Sequence, residues 1–435
     1  MCKYFVFPKY NTMASMGDMS LQEKMRLGET VDIYYYNSKT LEKNAIPALQ
    51  DTRFFQVFPS MGAGSSTFIY SPDQGVQDII VGLKLPVRTD ATGAASYNGL
   101  AVPKAWGYQL INRISVRYAG SSQYFWTGEQ VFVENMRECS NPTSKESLVQ
   151  LGGAELKTVA DFAGDQLYAY IPLNLPHSST NASLEKPNPL PTELLSQPIV
   201  ITVELNPISS IFYSAAGVAN AGVAPTMLED AWFQVRQIHA LDGGQLMRPM
   251  GNGAGYSYAL KAFYQNQIDV PLQQTTSVQS VTLTGFRAGQ VRSIFFWIED
   301  TSDPKNKFVW TMPRDVQLQY NGLVYQNYRG TSSQIWDLLG TDVPSNYAGS
   351  RLTDLGSGQG WDSEDVLVNW INLPFSMIYE QLSASSLYVT GKAIENAVVN
   401  LQLATPQAKS TYVLKAVYAY NSLLFMSAGS AEYLF

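Results

Sequence analysis

The heptapeptide ISVRYAG, Ile114–Gly120, returns as VQLQYNG, Val316–Gly322, at an offset of 202 residues (316 − 114). Only Tyr and Gly are identical between the two. Both alternate apolar and polar side chains, the period of a strand with one buried face. Both close on a glycine, the mark of a turn. The pair raises the possibility that one fold is written twice.

Four further blocks extend the match in the same chain order. VQDIIVGL (Val76–Leu83) faces VQSVTLTG (Val278–Gly285) at 202, and TGEQVF (Thr127–Phe132) faces TSSQIW (Thr331–Trp336) at 204. YIPLNL (Tyr170–Leu175) faces WINLPF (Trp370–Phe375) at 200, and IVITVEL (Ile199–Leu205) faces AVVNLQL (Ala397–Leu403) at 198. Self-similarity near one spacing marks a duplicated structural unit. Runs such as FFQVFPS, STFIYSP, QLYAYIPL, AWFQVRQIHAL, VRSIFFWIED and TYVLKAVYAYNSLLF add strand candidates between Pro, Gly, Asn, Asp and Ser punctuation. Many short strands with turns between them predict an all-β chain of sandwiches or barrels. TGEQVF is different: Thr127 with Gln130 three residues on is a capping box, which predicts a short helix after the repeated strand. Thr331 and Gln334 repeat it.

These blocks predict an N-terminal arm over 1–49, a first unit over 50–242, a linker over 243–254, a second unit over 255–428 and a tail over 429–435. SLQEKMRLGE predicts an amphipathic helix inside the arm. The polar, Pro-rich stretch 177–193 and the stretch 341–365 read as long loops at corresponding places in the two units.

Composition narrows the function. The chain has 435 residues, 45% hydrophobic, so a large core is available. Charged residues are 15%, below the roughly 25% of an average soluble domain. With 26 Tyr and 19 Phe, this suits a chain that buries surface against partners. The net charge of −7 argues against direct, sequence-specific nucleic acid binding. The start MCKYFVFPKY lacks a secretory pattern, and no apolar run has the length of a membrane span, which predicts synthesis inside a cell.

Chemistry is sparse. His177 and His239 share no carboxylate spacing, and Cys2 and Cys139 form no metal spacing. MGAGSS (61–66) and GNGAG (251–255) lack the lysine and helix of a phosphate loop. Glu299, Asp300 and Asp303, and Asp362, Glu364 and Asp365, are acids of the kind that serve glycosidases or Ca²⁺ sites, but they read first as solvated acidic loops. The aromatics of YFWTGEQVF, FFWIED and YVLKAVYAY suit a core or subunit interface, with a sugar platform as the rival use. The sequon at Asn181 has no export signal to give it meaning. No catalytic, cofactor-binding or metal residue is therefore assigned, and no enzyme is expected.

The stretch LINRISVRYAGSSQYFWTGEQVFVEN (110–135) runs apolar strand, Gly/polar turn and capped helix. In this it resembles the double jelly-roll major capsid proteins of tailless icosahedral double-stranded DNA viruses. The resemblance spans about 50–428 as architecture and the repeat blocks as sequence; AGSSQ (119–123) is only similar to the Gly-Gly-Gln turn of some members. It implies two tandem eight-stranded jelly rolls with short inserted helices and long loops. It further implies homotrimeric, pseudo-hexagonal capsomers that tile a shell, in a virion made in the host cytoplasm or nucleus. The implied partners are neighbouring capsomers, penton and minor capsid proteins and, in many members, an internal membrane that the arm would reach. The rival expectation is a carbohydrate-binding or carbohydrate-active β-sandwich protein.

Overall fold

In a computed structural model, the residues described are 48–57, 64–70, 75–87, 99–118, 124–138, 142–157, 161–162, 165–173, 190–191, 195, 197–214, 224–240, 256–259, 263–264, 268–285, 290–302, 308, 313–320, 322–329, 370–374, 392–393, 397–403, 411–420, 423–427 and 430–434. The first half carries β1 (Ala48–Val57), β2 (Gly64–Tyr70), β3 (Gly75–Lys84), β4 (Leu100–Ala101), β5 (Ile111–Arg117) and β6 (Tyr124–Trp126). It continues with β7 (Tyr168–Leu173), β8 (Leu190–Pro191), β9 (Ile199–Leu205), β10 (Tyr213–Ser214) and β11 (Asp230–Ala240). The second half opens with β12 (Tyr256–Ala259), β13 (Phe263–Tyr264), β14 (Ile268–Pro271), β15 (Gln279–Leu283), β16 (Gln290–Asp300), β17 (Pro313–Tyr320) and β18 (Leu323–Arg329). It closes with β19 (Trp370–Pro374), β20 (Lys392–Ala393), β21 (Ala397–Leu403), β22 (Tyr412–Tyr420), β23 (Leu423–Ser427) and β24 (Ser430–Leu434). Helices run over Trp106–Leu110, Gly128–Glu138 and Pro142–Leu151.

The strand orders repeat. One sheet of the first half runs β1-β11-β3-β7, with β8 added on β3, and the other β2-β9-β5-β6. In the second half β13-β22-β16-β19, with β14 on β22 and β20 on β16, takes the place of the first sheet, and β15-β21-β17-β18 that of the second. Within each half, the outermost strands in sequence lie side by side and the interior ones interleave, which is the jelly-roll connection. Two jelly rolls therefore stand in tandem, as expected. β4 pairs with β10, and β12, β23 and β24 make a small separate sheet, so residues 430–434 of the C-terminal segment are a paired strand.

The repeat holds residue by residue. Ile114 faces Val203 and Trp126 in the first half; Val316 faces Leu401 and Tyr328 in the second. Ile111 faces Leu205 and Arg113 faces Glu204, leaving Asn112 extra. Pro313 faces Leu403 and Asp315 faces Gln402, leaving Arg314 extra at the equivalent place. Gln77 and Arg292 are extra in the same way where β3 and β16 meet β11 and β22. A bulge bends and twists its strand locally, so the shared bulges give the two barrels the same bends. IVITVEL and AVVNLQL even carry the same alternation of buried and half-buried side chains. Gly322 takes φ 78, the left-handed turn that ends VQLQYNG.

One block is misaligned. VQDIIVGL lies in β3, the strand whose counterpart is β16, because Ile79 faces Leu173 as Ile294 faces Leu373. VQSVTLTG lies in β15, the counterpart of β2, because Tyr70 faces Ile199 as Leu283 faces Ala397. The offset is thus 215 at β3 (294 − 79) and falls to 183 at β11 (418 − 235). The first half is longer between β3 and β5, a stretch that holds β4 and a helix, and between β9 and β11, a stretch that holds a 3-10 turn and β10. A spacing near 200 holds only from β5 to β9. The repeated cap at Thr331 and Gln334, the predicted linker and most of the predicted arm lie outside the described residues.

The inner faces of the sheets form the core, where Ile79, Ile171, Val235, Ile294, Leu401 and Tyr418 are all buried. Leu401→Ala should lower unfolding stability by about 2–5 kcal/mol, because the site is tightly packed and leaves a cavity. Thr282→Ala, on the exposed face of β15, should stay within about 0.5 kcal/mol. Denaturant unfolding of both variants measures the difference.

Candidate functional site at the junction of the two halves

The helix Gly128–Glu138 belongs to the first half and reaches the second. The predicted capping box starts it: Gln130 N–H donates to Thr127 Oγ1 at 3.2 Å, and Thr127 N–H donates to Gln130 Oε1 at 2.9 Å. Its first turn presses onto the chain before β5. A Cβ at Gly128 would lie 2.1 Å from the Tyr108 carbonyl oxygen, so only glycine fits there. Further along, Asn135 Nδ2 donates to Tyr108 Oη at 3.0 Å and to the Pro172 carbonyl at 2.9 Å. The Phe132 ring meets Tyr108 edge-on at 5.1 Å and the second half's Phe308 at 4.2 Å. The helix is thus gripped by one jelly roll and laid against the other.

At its start sits a buried ion triad. Lys415 Nζ, from β22, donates to Glu129 Oε2 at 2.6 Å and lies 2.7 Å from Glu299 Oε2 of β16. Glu129 is 6% exposed, Glu299 2% and Lys415 7%. Desolvation by burial pulls the Lys415 pKa down, but the charges and hydrogen bonds of Glu129 and Glu299 outweigh it, so the ammonium is held above its usual range. Glu129 lies in the first helical turn, where the helix dipole favours its negative charge. The sites of β16 and β22 that carry Glu299 and Lys415 point away from the barrel interior, which Ile298 and Leu414 fill. The triad therefore joins one barrel's outer face to the other barrel's helix. Chemically it is a closed clasp: both carboxylates hold one ammonium.

Other predicted residues find different places. Glu299 and Asp300 are not in a solvated loop; they are buried in β16. Asp300 Oδ1 accepts from Ser302 N–H at 3.0 Å and Thr411 N–H at 3.2 Å, fastening the end of β16 to the start of β22. The misreading arose because IED precedes a turn, while the strand's two-sided burial requires those acids to be paired inside. His239 lies in β11. His177, Asn181, Asp303, Asp362, Glu364, Asp365, Cys2 and Cys139 lie outside the described residues. Among the described residues, no group of three or more His, Cys, Asp or Glu is placed to hold a metal ion, and no helix is long and apolar enough to cross a membrane. Trp126, Phe132, Phe296, Trp297, Tyr412 and Tyr418 are buried, so these aromatics build core and junction rather than a sugar platform.

Sequence reasoning missed Lys415 and Glu129 as partners. A signal was present: SIFFWIED and YVLKAVYAY are apolar at consecutive positions, as in strands covered on both faces. A lone lysine inside such a run needs a buried acid.

No protein-family profile matches the chain, and no curated protein matches it in sequence. Solved structures do match. The PBCV-1 virus capsid protein superposes with a TM-score of 0.56 at 13% identity, covering 94% of this chain and 99% of that one. A chain of the Sputnik virophage structure gives 0.55 at 11% identity, covering 99% and 93%. The mavirus major capsid protein gives 0.52 at 10% identity, covering 100% and 96%. At these identities the likeness shows the fold, and it runs the length of both chains.

Lys415→Met leaves two buried carboxylates facing each other and should cost about 3–5 kcal/mol. Glu129→Gln leaves a neutral Lys–Glu pair and should cost less. Because the Lys415 pKa is raised in the fold, its contribution is fully present below the unfolded value of 10.5 and fades only as pH rises beyond it. Chemical denaturation of both variants, and of the unsubstituted chain from neutral to alkaline pH, checks the order and the sign.

Proposed function

We propose that the protein is a major capsid protein, a structural component of a virion that builds a shell by self-association. One observation carries this reading: the duplicated jelly roll matches the PBCV-1 and mavirus capsid chains over nearly their whole length. Few charges and abundant aromatics support it, since they suit a chain that buries surface against its own copies. The protein acts by assembly and not by catalysis. The buried clasp supports this, since it links the two halves and both its acids are held by a lysine.

In this reading three chains form a capsomer, so six barrels make a pseudo-hexagonal tile. Neighbouring capsomers, penton and minor capsid proteins, and an internal membrane are its contacts. The limits of the units follow the repeat: arm 1–49, jelly rolls 50–242 and 255–428 joined by 243–254, and tail 429–435. The arm precedes the first barrel and serves assembly, its aromatic start MCKYFVFPKY being covered by a neighbour, a minor protein or membrane.

The purified protein should have a native mass three times its 48.1 kDa protomer, and preparations at high concentration should yield closed particles in electron micrographs. A monodisperse monomer across concentration and salt contradicts the proposal. Deleting residues 1–16 should leave a folded oligomer of unchanged native mass that closes few particles. Loss of folding in the truncated chain would place the arm in the core instead.

A further inference from the structure

Three costs meet at one place in the first half. Ala105 takes φ 54 and ψ 32, and among the described residues it is the only non-glycine with a positive φ. Its Cβ disfavours that left-handed conformation. Trp106 beside it is fully buried, and among the described residues its indole N–H meets no acceptor, so it gives up water without a replacement. Against that N–H lies Gly153 at φ 118, where a Cβ would come 2.3 Å from Trp106 Nε1.

The place is a seam between two backbone segments. Val102 and Leu156 exchange backbone hydrogen bonds at 2.9 and 3.0 Å. Ala105 N–H donates to the Gly153 carbonyl at 2.8 Å, and Gly107 N–H to the Gly152 carbonyl at 2.9 Å. The seam seats Tyr108, whose ring lies so near Gly152 that a Cβ there would come 2.5 Å from it. Tyr108 in turn holds the helix Gly128–Glu138 at three points. Its carbonyl abuts Gly128, its ring meets Phe132 and its hydroxyl accepts from Asn135. The same helix carries Glu129 to Lys415. Strain of this kind persists only where the surrounding structure over-determines it, and the clasp stands at the far end of these contacts.

We propose that the seam is a strained latch held closed by the Glu129–Lys415 contact, and that the chain visits a second arrangement in which the seam opens and the helix Gly128–Glu138 leaves Lys415. Opening frees Ala105 from the left-handed region and gives the Trp106 N–H to water. It leaves Lys415 with Glu299, on the neighbouring strand of the same sheet, so the ammonium keeps a carboxylate. Glu129 returns to water. Loss of the Phe132–Phe308 ring contact opposes opening and keeps the open arrangement a minor one. The two ends are linked, so whatever weakens the clasp loosens the seam, and whatever relaxes the seam tightens the helix on Lys415. Such a latch lets the two halves of one chain shift against each other, and it stands apart from the capsid reading.

Hydrogen exchange of the purified full chain, read by mass spectrometry, tests the latch, because the amides of Val102, Ala105, Gly107 and Leu156 bond across the seam. Glu129→Ala should speed exchange at those amides about 10-fold, while β9 stays within about twofold of the unsubstituted chain. Glu129→Gln makes the same test if Glu129→Ala fails to fold. Ala105→Gly, which takes the left-handed conformation without a Cβ, should slow exchange across 128–138 about threefold. A folded Glu129 variant whose seam amides exchange as before overturns the proposal. Equal acceleration in β9 overturns it too, since the loss is then global. Exchange across 128–138 that Ala105→Gly leaves unchanged or speeds removes the strained seam as the other half of the latch. A monomer whose seam and helix respond as expected keeps the latch and defeats the capsid reading alone.

Discussion

The outer face of the β16–β22 sheet cannot be left to water. Trp297 and Val417 are apolar, and Glu299 and Lys415 are packed among them, so the face needs a cover that is both apolar and acidic. The helix Gly128–Glu138 brings Glu129 to Lys415 on that face, and its Phe132 packs on Phe308 of the same half. Much follows from this. The helix must start at Thr127 to place Glu129 in its first turn, and the capping box fixes the start. Residue 128 must be glycine for the helix to lie on the Tyr108–Ile111 backbone. A buried ion pair adds little net stability over an apolar contact of the same shape, but it punishes any arrangement that leaves one charge unpaired. The triad's contribution is therefore to select a single placement of one barrel against the other.

Much of the fold was legible in the chain because strand alternation is local. ISVRYAG and VQLQYNG, and IVITVEL and AVVNLQL, proved to be equivalent strands with matched partners. The capping box at Thr127 was legible for the same reason: its two hydrogen bonds lie within four residues. VQDIIVGL was misassigned because β2, β3, β15 and β16 all present similar alternating faces, and only the sheet partner tells them apart. The added elements between β3 and β5 broke the even spacing on which the alignment relied.

The site was harder to read. Glu129 and Lys415 are 286 residues apart, and neither carries a local pattern that announces the other. Glu299 and Asp300 looked like a surface loop because acids at a strand end usually face water. Glu299 is held by Lys415, which also meets Glu129 of the other half's helix, and Asp300 by the backbone of Ser302 and Thr411; only the Ser302 contact falls in a window around them. The loss of alternation in SIFFWIED and YVLKAVYAY was the local trace that those strands are covered on both faces. The two jelly rolls share strand order, register and both bulges, yet among the described residues the outer face is buried at Trp297, Glu299, Lys415 and Val417 and half-buried at Lys84, Trp232 and Gln234.

A near-atomic cryo-EM reconstruction of the purified oligomer tests the central claim most directly, that each chain is two equivalent barrels joined head to tail. The account predicts six jelly rolls around a threefold axis. The Glu129–Lys415–Glu299 clasp would lie at every junction within a chain. A twofold assembly, or barrels of one chain that do not meet at the clasp, would contradict it.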